Sequence, residues 1–440
     1  MAKKRKPLPP PVTVEIESLS HDGWGLTHVD GKAVFVHGAL PGERVELRYT
    51  RLQKRYDEGV ASAVLRAAPQ RVRPRCAHFG VCGGCRLQHL EPAAQIAMKQ
   101  ELLADVLARI GKVRPEEWLP PLTAGHWGYR RKARLGVKLV EKKGGVLVGF
   151  RERGSAFLAE LGRCEVLHPA VGERIAEIRG LIDGLSIRDR VPQVEVAIGD
   201  GPAVLVLRVL APPSGDDIER LDRFGREYGL HIALQGGGPD TIRPLPGHEV
   251  DLSYSLPRQG VRIHFEPSDF TQVNLELNRL MVDRALGLLD PGPDERVLDL
   301  FCGLGNFTLA LARRAAEVVG VEADGGLVER ARVNAQRNGI ANARFLQGDL
   351  YGALDLAPWR RERFQAALLD PPRSGAIQVL DLLPALGVER VLYVSCYPTT
   401  LARDADRLVN GLGYRLISAG AMDMFPHTAH LESMALFAQR

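Results

Sequence analysis

Hydrophobic and polar positions alternate in short runs from Val12 to about residue 67, in stretches such as VTVEIESL, AVFVHGAL, ERVELRYT and EGVASAVL. Alternation of period two, broken by Gly, Pro and Asp, predicts strands only, and over this length (12–67) a small OB-like β-barrel. A basic, Pro-rich arm precedes it at 1–11, and Lys54, Arg55 and Tyr56 fall on one of its turns. Small barrels hold single-stranded nucleic acid with such basic loops and stacking rings. Over 92–111 the apolar spacing becomes helical and predicts an amphipathic helix, able to pack on the C-terminal domain. The stretch WGYRRKARLGVKLVEKKGG from 127 predicts a basic strand that turns at Gly144-Gly145. Its seven Lys/Arg, with Trp127 and Tyr129 interleaved, suit phosphate contact and base stacking. Further strands (VEVAIGD, AVLVLRVL) and a helix near 215–229 complete a central α+β domain at 68–265. From 266 to 440 the pattern changes to apolar, β-branched runs separated by helical stretches: RVLDLF (296–301), EVVGVEAD (317–324), ARFLQGD (343–349), QAALLDPP (365–372) and RVLYVSC (390–396). That alternation predicts a Rossmann-like α/β domain, a buried parallel sheet with helices on both faces.

At 440 residues the chain is too long for one core, which agrees with several domains. A composition of 45% hydrophobic and 25% charged residues excludes disordered, collagen-like and coiled-coil classes. Net charge adds more. Residues 1–75 carry 14 Lys/Arg against 8 Asp/Glu, whereas the other 365 carry 44 against 45. The whole positive excess lies at the N-terminus, an asymmetry that points to a polyanion, nucleic acid before membrane surface. No apolar run is long enough to span a membrane and none follows the Met-Ala-Lys-Lys-Arg-Lys start, so a cytoplasmic protein without a membrane partner is expected.

Six cysteines are too few for a disulfide scaffold. Three cluster as Cys76-x5-Cys82-x2-Cys85, and Cys164 can join them as a fourth thiolate. Four thiolates fit either structural zinc or an iron–sulfur cluster.

The chemistry concentrates in the last domain. A Gly303-x-Gly305 turn stands between a strand and a helix, where backbone can approach a ligand at the carboxyl edge of a parallel sheet. Glu322 ends the next strand, 19 residues after Gly303, where a carboxylate can accept from ribose hydroxyls. Asp349 ends the third strand and Asp370 the fourth, inside Asp-Pro-Pro-Arg. The third glycine of the dinucleotide fingerprint is missing, which favours S-adenosylmethionine over a nicotinamide cofactor. Cys396 ends the fifth strand on the substrate side and is the preferred nucleophile over Cys302, which lies within the glycine turn. Glu432 is the one carboxylate of the last apolar run and a candidate general base, the alternative being a solvated strand-end Glu.

Together these segments resemble the RNA uracil-C5 methyltransferases: Phe-Thr-Gln-Val-Asn (270–274), Asp-Leu-Phe-Cys-Gly-Leu-Gly-Asn-Phe (299–307), Gly-Val-Glu (320–322), Asp-Pro-Pro-Arg (370–373), Val-Ser-Cys-Tyr-Pro (394–398) and His-x-Glu (430–432). The barrel looks like a TRAM domain, and the cysteine segment is similar to the family's iron–sulfur signature. The resemblance implies a cofactor pocket lined by Gln272, Phe301, Asn306, Glu322, Asp349 and Asp370, Cys396 as nucleophile and Glu432 as base. It also implies a [4Fe–4S] cluster on Cys76, Cys82, Cys85 and Cys164, and Asp370 and Arg373 at the uracil edge. Barrel and cluster together imply the branch that methylates 23S ribosomal RNA, acting as a monomer on a flipped uracil in a single-stranded or loop region. Two rivals stand beside it. An N-methyltransferase for exocyclic amines has a similar Asp-Pro-Pro-Tyr, but needs neither Cys396 nor Glu432. A non-catalytic RNA-binding assembly factor needs no intact site at all.

Overall fold

The computed structural model describes residues 7–352 and 358–439, so residues 1–6 of the expected basic arm lie outside the described residues. The chain forms two compact units. One comprises Met1–Met98, Arg151–Phe157 and Phe425–His430, and the other Lys99–Phe150, Leu158–Met424 and Leu431–Arg440.

The first unit holds β1 (Val12–Glu15), β2 (Ser18–Leu19), β3 (Gly25–Val29), β4 (Lys32–His37), β5 (Arg44–Leu52) and β6 (Tyr56–Arg66), in the order β1-β5-β6-β4-β3-β2. The alternation puts Val45, Leu47 and Tyr49 inward with Ile16, Val34, Val36 and Ala39, and Glu46 and Arg48 outward. Three register shifts between β5 and β6 bend this long pair, as curling a sheet requires. Glu43 is fully buried but satisfied: Arg71 donates to both of its oxygens, and the amides of Leu40 and Ala68 donate at 2.8 and 3.1 Å. Tyr56 is the first residue of β6 rather than a turn residue, and its ring meets Phe35 edge-on at 5.3 Å.

The unit boundary falls inside α1 (Pro92–Arg109). Beyond it come β7 (Glu117–Trp118), β8 (Lys132–Val140) and β9 (Gly145–Gly149), then α2 (Pro169–Gly172), α3 (Ile175–Asp183), β10 (Gln193–Ile198), β11 (Ala203–Arg208), α4 (Gly215–Tyr228), β12 (Leu230–Gln235) and β13 (Ile242–Pro244). Six of these strands form one sheet, ordered β13-β12-β11-β10-β8-β9. Helix α4 starts where the sequence supplies a capping box: Ser214 accepts from the Asp217 amide and Asp217 from the Ser214 amide. It stops at Gly229, which adopts φ +63°.

The basic stretch divides in two in a way its composition did not show. Lys132 points inward and donates to the carbonyls of Pro267 and Asp269, Arg131 donates to the Gly199 carbonyl, and Tyr129 is buried. Arg130 lies over the Phe150 ring. Arg131 and Lys132 thereby supply donors to backbone carbonyls of neighbouring segments. Arg134, Lys138, Lys142 and Lys143 are the exposed part.

The remaining elements are β14 (Ser253–Leu256), β15 (Val261–His264), α5 (Leu275–Leu289), β16 (Arg296–Leu300), α6 (Thr308–Leu311), β17 (Glu317–Glu322), α7 (Gly325–Arg337), β18 (Ala343–Gln347), β19 (Ala366–Leu369), α8 (Ile377–Leu380), β20 (Arg390–Ser395), α9 (Pro398–Asp406), β21 (Tyr414–Met422) and β22 (Glu432–Gln439). Eight strands form a sheet ordered β18-β17-β16-β19-β20-β22-β21-β7, parallel from β18 to β20, with β22 antiparallel to both its neighbours. Leu298, Val319 and Leu368 are 0% exposed, as continuous apolar runs require when both faces are covered. Strand order reverses between β16 and β19, and open α/β sheets bind ligands outside the carboxyl ends of the strands at such a switch point. No helix among the described residues is long and apolar enough to cross a membrane.

Candidate active site

Directly after β16 the chain turns sharply. Phe301 has φ +66°, and the amides of Phe301 and Cys302 both donate to the Val321 carbonyl, at 2.9 and 3.1 Å. Gly303 follows at φ +53° with open space where a Cβ would sit. Gly305, at φ +87°, would place a Cβ 3.2 Å from Leu309 and 3.3 Å from Phe345. A side chain at either glycine would strain the turn, and at Gly305 it would also crowd the core.

Glu322 is wired to this turn. One carboxylate oxygen accepts from the Gly303 amide at 3.1 Å, and the other from the Ala323 and Asp324 amides at 2.8 and 3.0 Å. The N-cap of α7 is supplied by Asp324 instead, whose Oδ1 accepts from the amides of Gly326 and Leu327. Asp349 lies two residues past the end of β18, exposed, and accepts from the Tyr351 amide at 2.9 Å. The Tyr351 ring stands 5.7 Å from that of Phe301. Gln272 is partly exposed in the segment leading into α5. Asn306 is the most constrained of the expected pocket residues. Its amide exchanges two 3.0 Å hydrogen bonds with Asn278, and its oxygen also accepts from Tyr254 Oη at 2.9 Å. With the side chain held in this way, its free edge and backbone are what remain to meet a ligand.

Asp299 opens the 299–307 motif. It is fully buried on β16, with Oδ2 accepting from the Thr308 hydroxyl at 2.5 Å and Oδ1 without a partner. Burial pushes its carboxyl up to about 7, and the charges of Asp370 and Glu322 add to the shift. Asp370, immediately beyond β19, is likewise pushed up to about 7 by burial. An acid whose second oxygen is orphaned beside a glycine turn fits a ligand with a donor or a positive centre.

The expected nucleophile and base approach each other at the end of the β20–β22 ladder. Ser395 pairs with Ser433, so one further step of the antiparallel register sets Cys396 opposite Glu432. Glu432 is 7% exposed rather than solvated. Burial, followed by the charge of Asp370, pushes its carboxyl up to about 8, while Arg373 and Lys99 oppose the shift. Burial also pushes the Cys396 thiol up to about 11, helped by Glu432 and Asp370 and opposed by Arg373. Helix α9 begins two residues after Cys396, and its N-terminal amides favour a nearby thiolate. Cys302, by contrast, is buried with its thiol held well above its ordinary range by desolvation, as an inert packing residue would be.

Cys76, Cys82 and Cys85 lie in the turn-rich segment of the first unit, and Cys164 belongs to the second. None of the six cysteines is in a disulfide. The Cys82 Sγ accepts from the Gly84 amide at 3.4 Å, and burial raises its thiol, with the neighbouring Cys76 adding and Arg153 opposing. Among the described residues no group of three or more His, Cys, Asp or Glu is arranged to hold a metal ion.

Comparison with known proteins adds the decisive observation. A family model described as tRNA (Uracil-5-)-methyltransferase matches residues 247–440, and the TRAM domain model matches 11–61. The chain is 56% identical over 441 residues to the 23S rRNA (uracil(1939)-C(5))-methyltransferase RlmD of Alkalilimnicola ehrlichii, covering 99% of both chains. It is 53% identical over 436 residues to the protein of that name from Methylococcus capsulatus, covering 99% and 98%. The chain belongs to the RlmD family of 23S rRNA (uracil-C5)-methyltransferases. The fold of this RlmD family member also matches the crystal structure of the Pyrococcus abyssi tRNA (uracil-54, C5)-methyltransferase in complex with S-adenosyl-L-homocysteine, with a TM-score of 0.76 at 24% identity over 97% of this chain and 99% of that one. The N-terminal module is thus a TRAM domain and the C-terminal one a methyltransferase fold. Around the expected residues the structure also places Thr308 on Asp299 and Asn278 and Tyr254 on Asn306, contacts to which the spacing of the motifs gives no clue.

Proposed function

We propose that this enzyme transfers a methyl group from S-adenosylmethionine to C5 of a uridine in 23S ribosomal RNA, with Cys396 as nucleophile and Glu432 as base. The observation supporting the mechanism is the meeting of thiol and buried carboxyl across one step of the β20–β22 ladder, beside Asp370. An N-methyltransferase has no use for that pair.

Bound S-adenosylmethionine supplies an electrophilic methyl carried on a sulfonium. Uracil C5 is too weak a nucleophile to take it unaided. Cys396 adds through sulfur to C6, which pushes the ring electrons towards C5 and makes it enolate-like. After C5 has gained the methyl, Glu432 removes the C5 proton, and the returning electrons expel the Cys396 sulfur. With the thiol pushed up to about 11, the thiolate has to form as attack proceeds, assisted by Arg373 and the start of α9. Asp370 acts on both reactive groups and on Asp299, so it links the cofactor crevice to the base, while Arg373 is suited to the uracil edge. In this reading Glu322, with Gln272, Phe301, Asn306 and Asp349, holds the nucleoside part of the donor. Because Glu432 is recessed, the uracil has to leave its stack, which favours a single-stranded or loop target. One chain carries every group named, so a monomer suffices, and ribosomal RNA places the reaction in the cytoplasm. The test is to map 5-methyluridine in 23S ribosomal RNA from cells with and without the gene: one site should lose its methyl and regain it on complementation, and an unchanged map would refute the assignment.

We also propose that Cys76, Cys82, Cys85 and Cys164 ligate a [4Fe–4S] cluster. Buried donors without partners support an anionic group at this place. Arg153 Nε and Nη2 have none, nor does either ring nitrogen of His89, and Arg153 acts electrostatically on Cys82. Four thiolates on four irons carry net negative charge and offer sulfur acceptors to such donors. Without metal, burial would hold Cys82 as a neutral thiol. The cluster serves to brace the RNA-binding unit and takes no part in methyl transfer. Anaerobically purified protein should be brown and contain iron and sulfide; stoichiometric zinc instead would overturn this.

A further inference from the structure

A second charged pair is buried beside Glu432. Lys99 comes from α1, and Asp423 directly follows Met422, the β21 residue that pairs with Glu432 in the ladder. Lys99 Nζ donates to Asp423 Oδ1 at 2.6 Å, with the two side chains 0% and 1% exposed. Backbone bonds fix both elements: the Asp423 amide donates to the Leu122 carbonyl at 2.8 Å, and the Ala421 amide to Gln100 Oε1 of α1 at 2.7 Å. Asp423 Oδ2 is buried without a partner. A pair this dry is a poor way to gain stability, since apolar residues of the same volume often serve as well or better. Its position beside a carboxyl that has to lose its proton suggests another use.

We infer that Lys99 and Asp423 are positioning residues for the base: the ammonium lends Glu432 a positive field, and the Asp423 carboxylate, next to the ladder partner of Glu432, offsets part of it. The inference rests on the reading of Glu432 as base. Among the described residues, the charged and titratable groups set against Glu432 are Asp370 and Arg373 from the loop after β19, Cys396 after β20, Lys99 from α1 and, next to them, Asp423 just after β21. Asp370 disfavours its ionisation, whereas Arg373 and Lys99 favour it. Only the ionised form can take the C5 proton, so proton abstraction should rise with pH as Glu432 deprotonates.

Removing Lys99 takes away a favouring cation and leaves Asp423 nearby, so Glu432 becomes harder to ionise and the rising limb moves to higher pH. Removing the Asp423 charge takes away an anion that offsets the ammonium's field, which moves the limb to lower pH. The experiment is single-turnover release of tritium from unmodified 23S RNA labelled at uridine C5, followed against pH with saturating S-adenosylmethionine. Lys99→Met should lose about tenfold at neutral pH, the equivalent of one pH unit, and recover on the alkaline side. Asp423→Asn should show the opposite displacement of the limb. Folded variants that both keep the wild-type midpoint, or that move it in the same direction, overturn the inference. Should one single variant fail to fold, the other decides: an alkaline shift in Lys99→Met or an acid shift in Asp423→Asn supports the proposal, and an unmoved midpoint refutes it. If Glu432→Gln itself releases tritium with the wild-type profile, it is the reading of Glu432 that fails, whatever the other variants do.

Discussion

Cys396→Ala should abolish methyl transfer to RNA, with a loss on the order of 10⁴-fold or more, because no other group at the sheet edge can add to C6 and the reaction then has no low-barrier route. The alternative thiol, Cys302, is buried in the glycine turn with its proton held tightly, so it cannot substitute. S-adenosylmethionine binding should remain intact, since the acids expected to hold it lie on other strand ends. Folding should change little, because alanine keeps most of the volume of this half-buried site. The check is transfer of a labelled methyl to unmodified 23S RNA, beside calorimetry with the cofactor. An active alanine variant would sink the covalent mechanism.

Glu432→Gln should slow turnover by about 10²- to 10⁴-fold, the usual range for a general base, and leave a trace that a merely structural residue would not. Addition of Cys396 and methylation precede the proton removal, so they should still occur, and the enzyme should accumulate as a covalent adduct with methylated RNA. Such an adduct survives denaturation and appears as a shifted band on a denaturing gel. Stability should hold or rise, because a neutral amide replaces a buried acid whose ionisation is costly. Normal turnover without adduct would remove Glu432 as base. The two variants also separate the roles from each other: Cys396→Ala forms no adduct, and Glu432→Gln cannot release one.

The elements of the fold were legible wherever a local period carries the information. Val45, Leu47 and Tyr49 alternate inward because a strand points successive side chains to opposite faces, and the middles of β16, β17, β19 and β20 are mostly apolar because both their faces are covered. The placement of the candidate site residues was legible for a related reason. In a parallel sheet every strand ends at the same edge, so Glu322, Asp370 and Cys396, each at or just after a strand end, converge without any need to know the strand order. The basic stretch was misleading because a run of charge does not say which way each side chain points. Lys132 and Arg131 turn inward to carbonyls from residues 199, 267 and 269, and no local pattern reveals those partners. The same limit hid the Asn278–Asn306 exchange and the Lys99–Asp423 pair, whose members lie 324 positions apart.

By itself, then, the sequence determined which candidate groups are present and that they share a sheet edge, since both follow from chain order and strand period. Tertiary structure alone decided their surroundings: a Glu432 that is buried instead of solvated, a Cys396 whose thiol burial pushes up, and a cation from α1 acting on Glu432. Ionisation depends on desolvation and on charges acting through space, and neither is encoded in the spacing of residues along a chain.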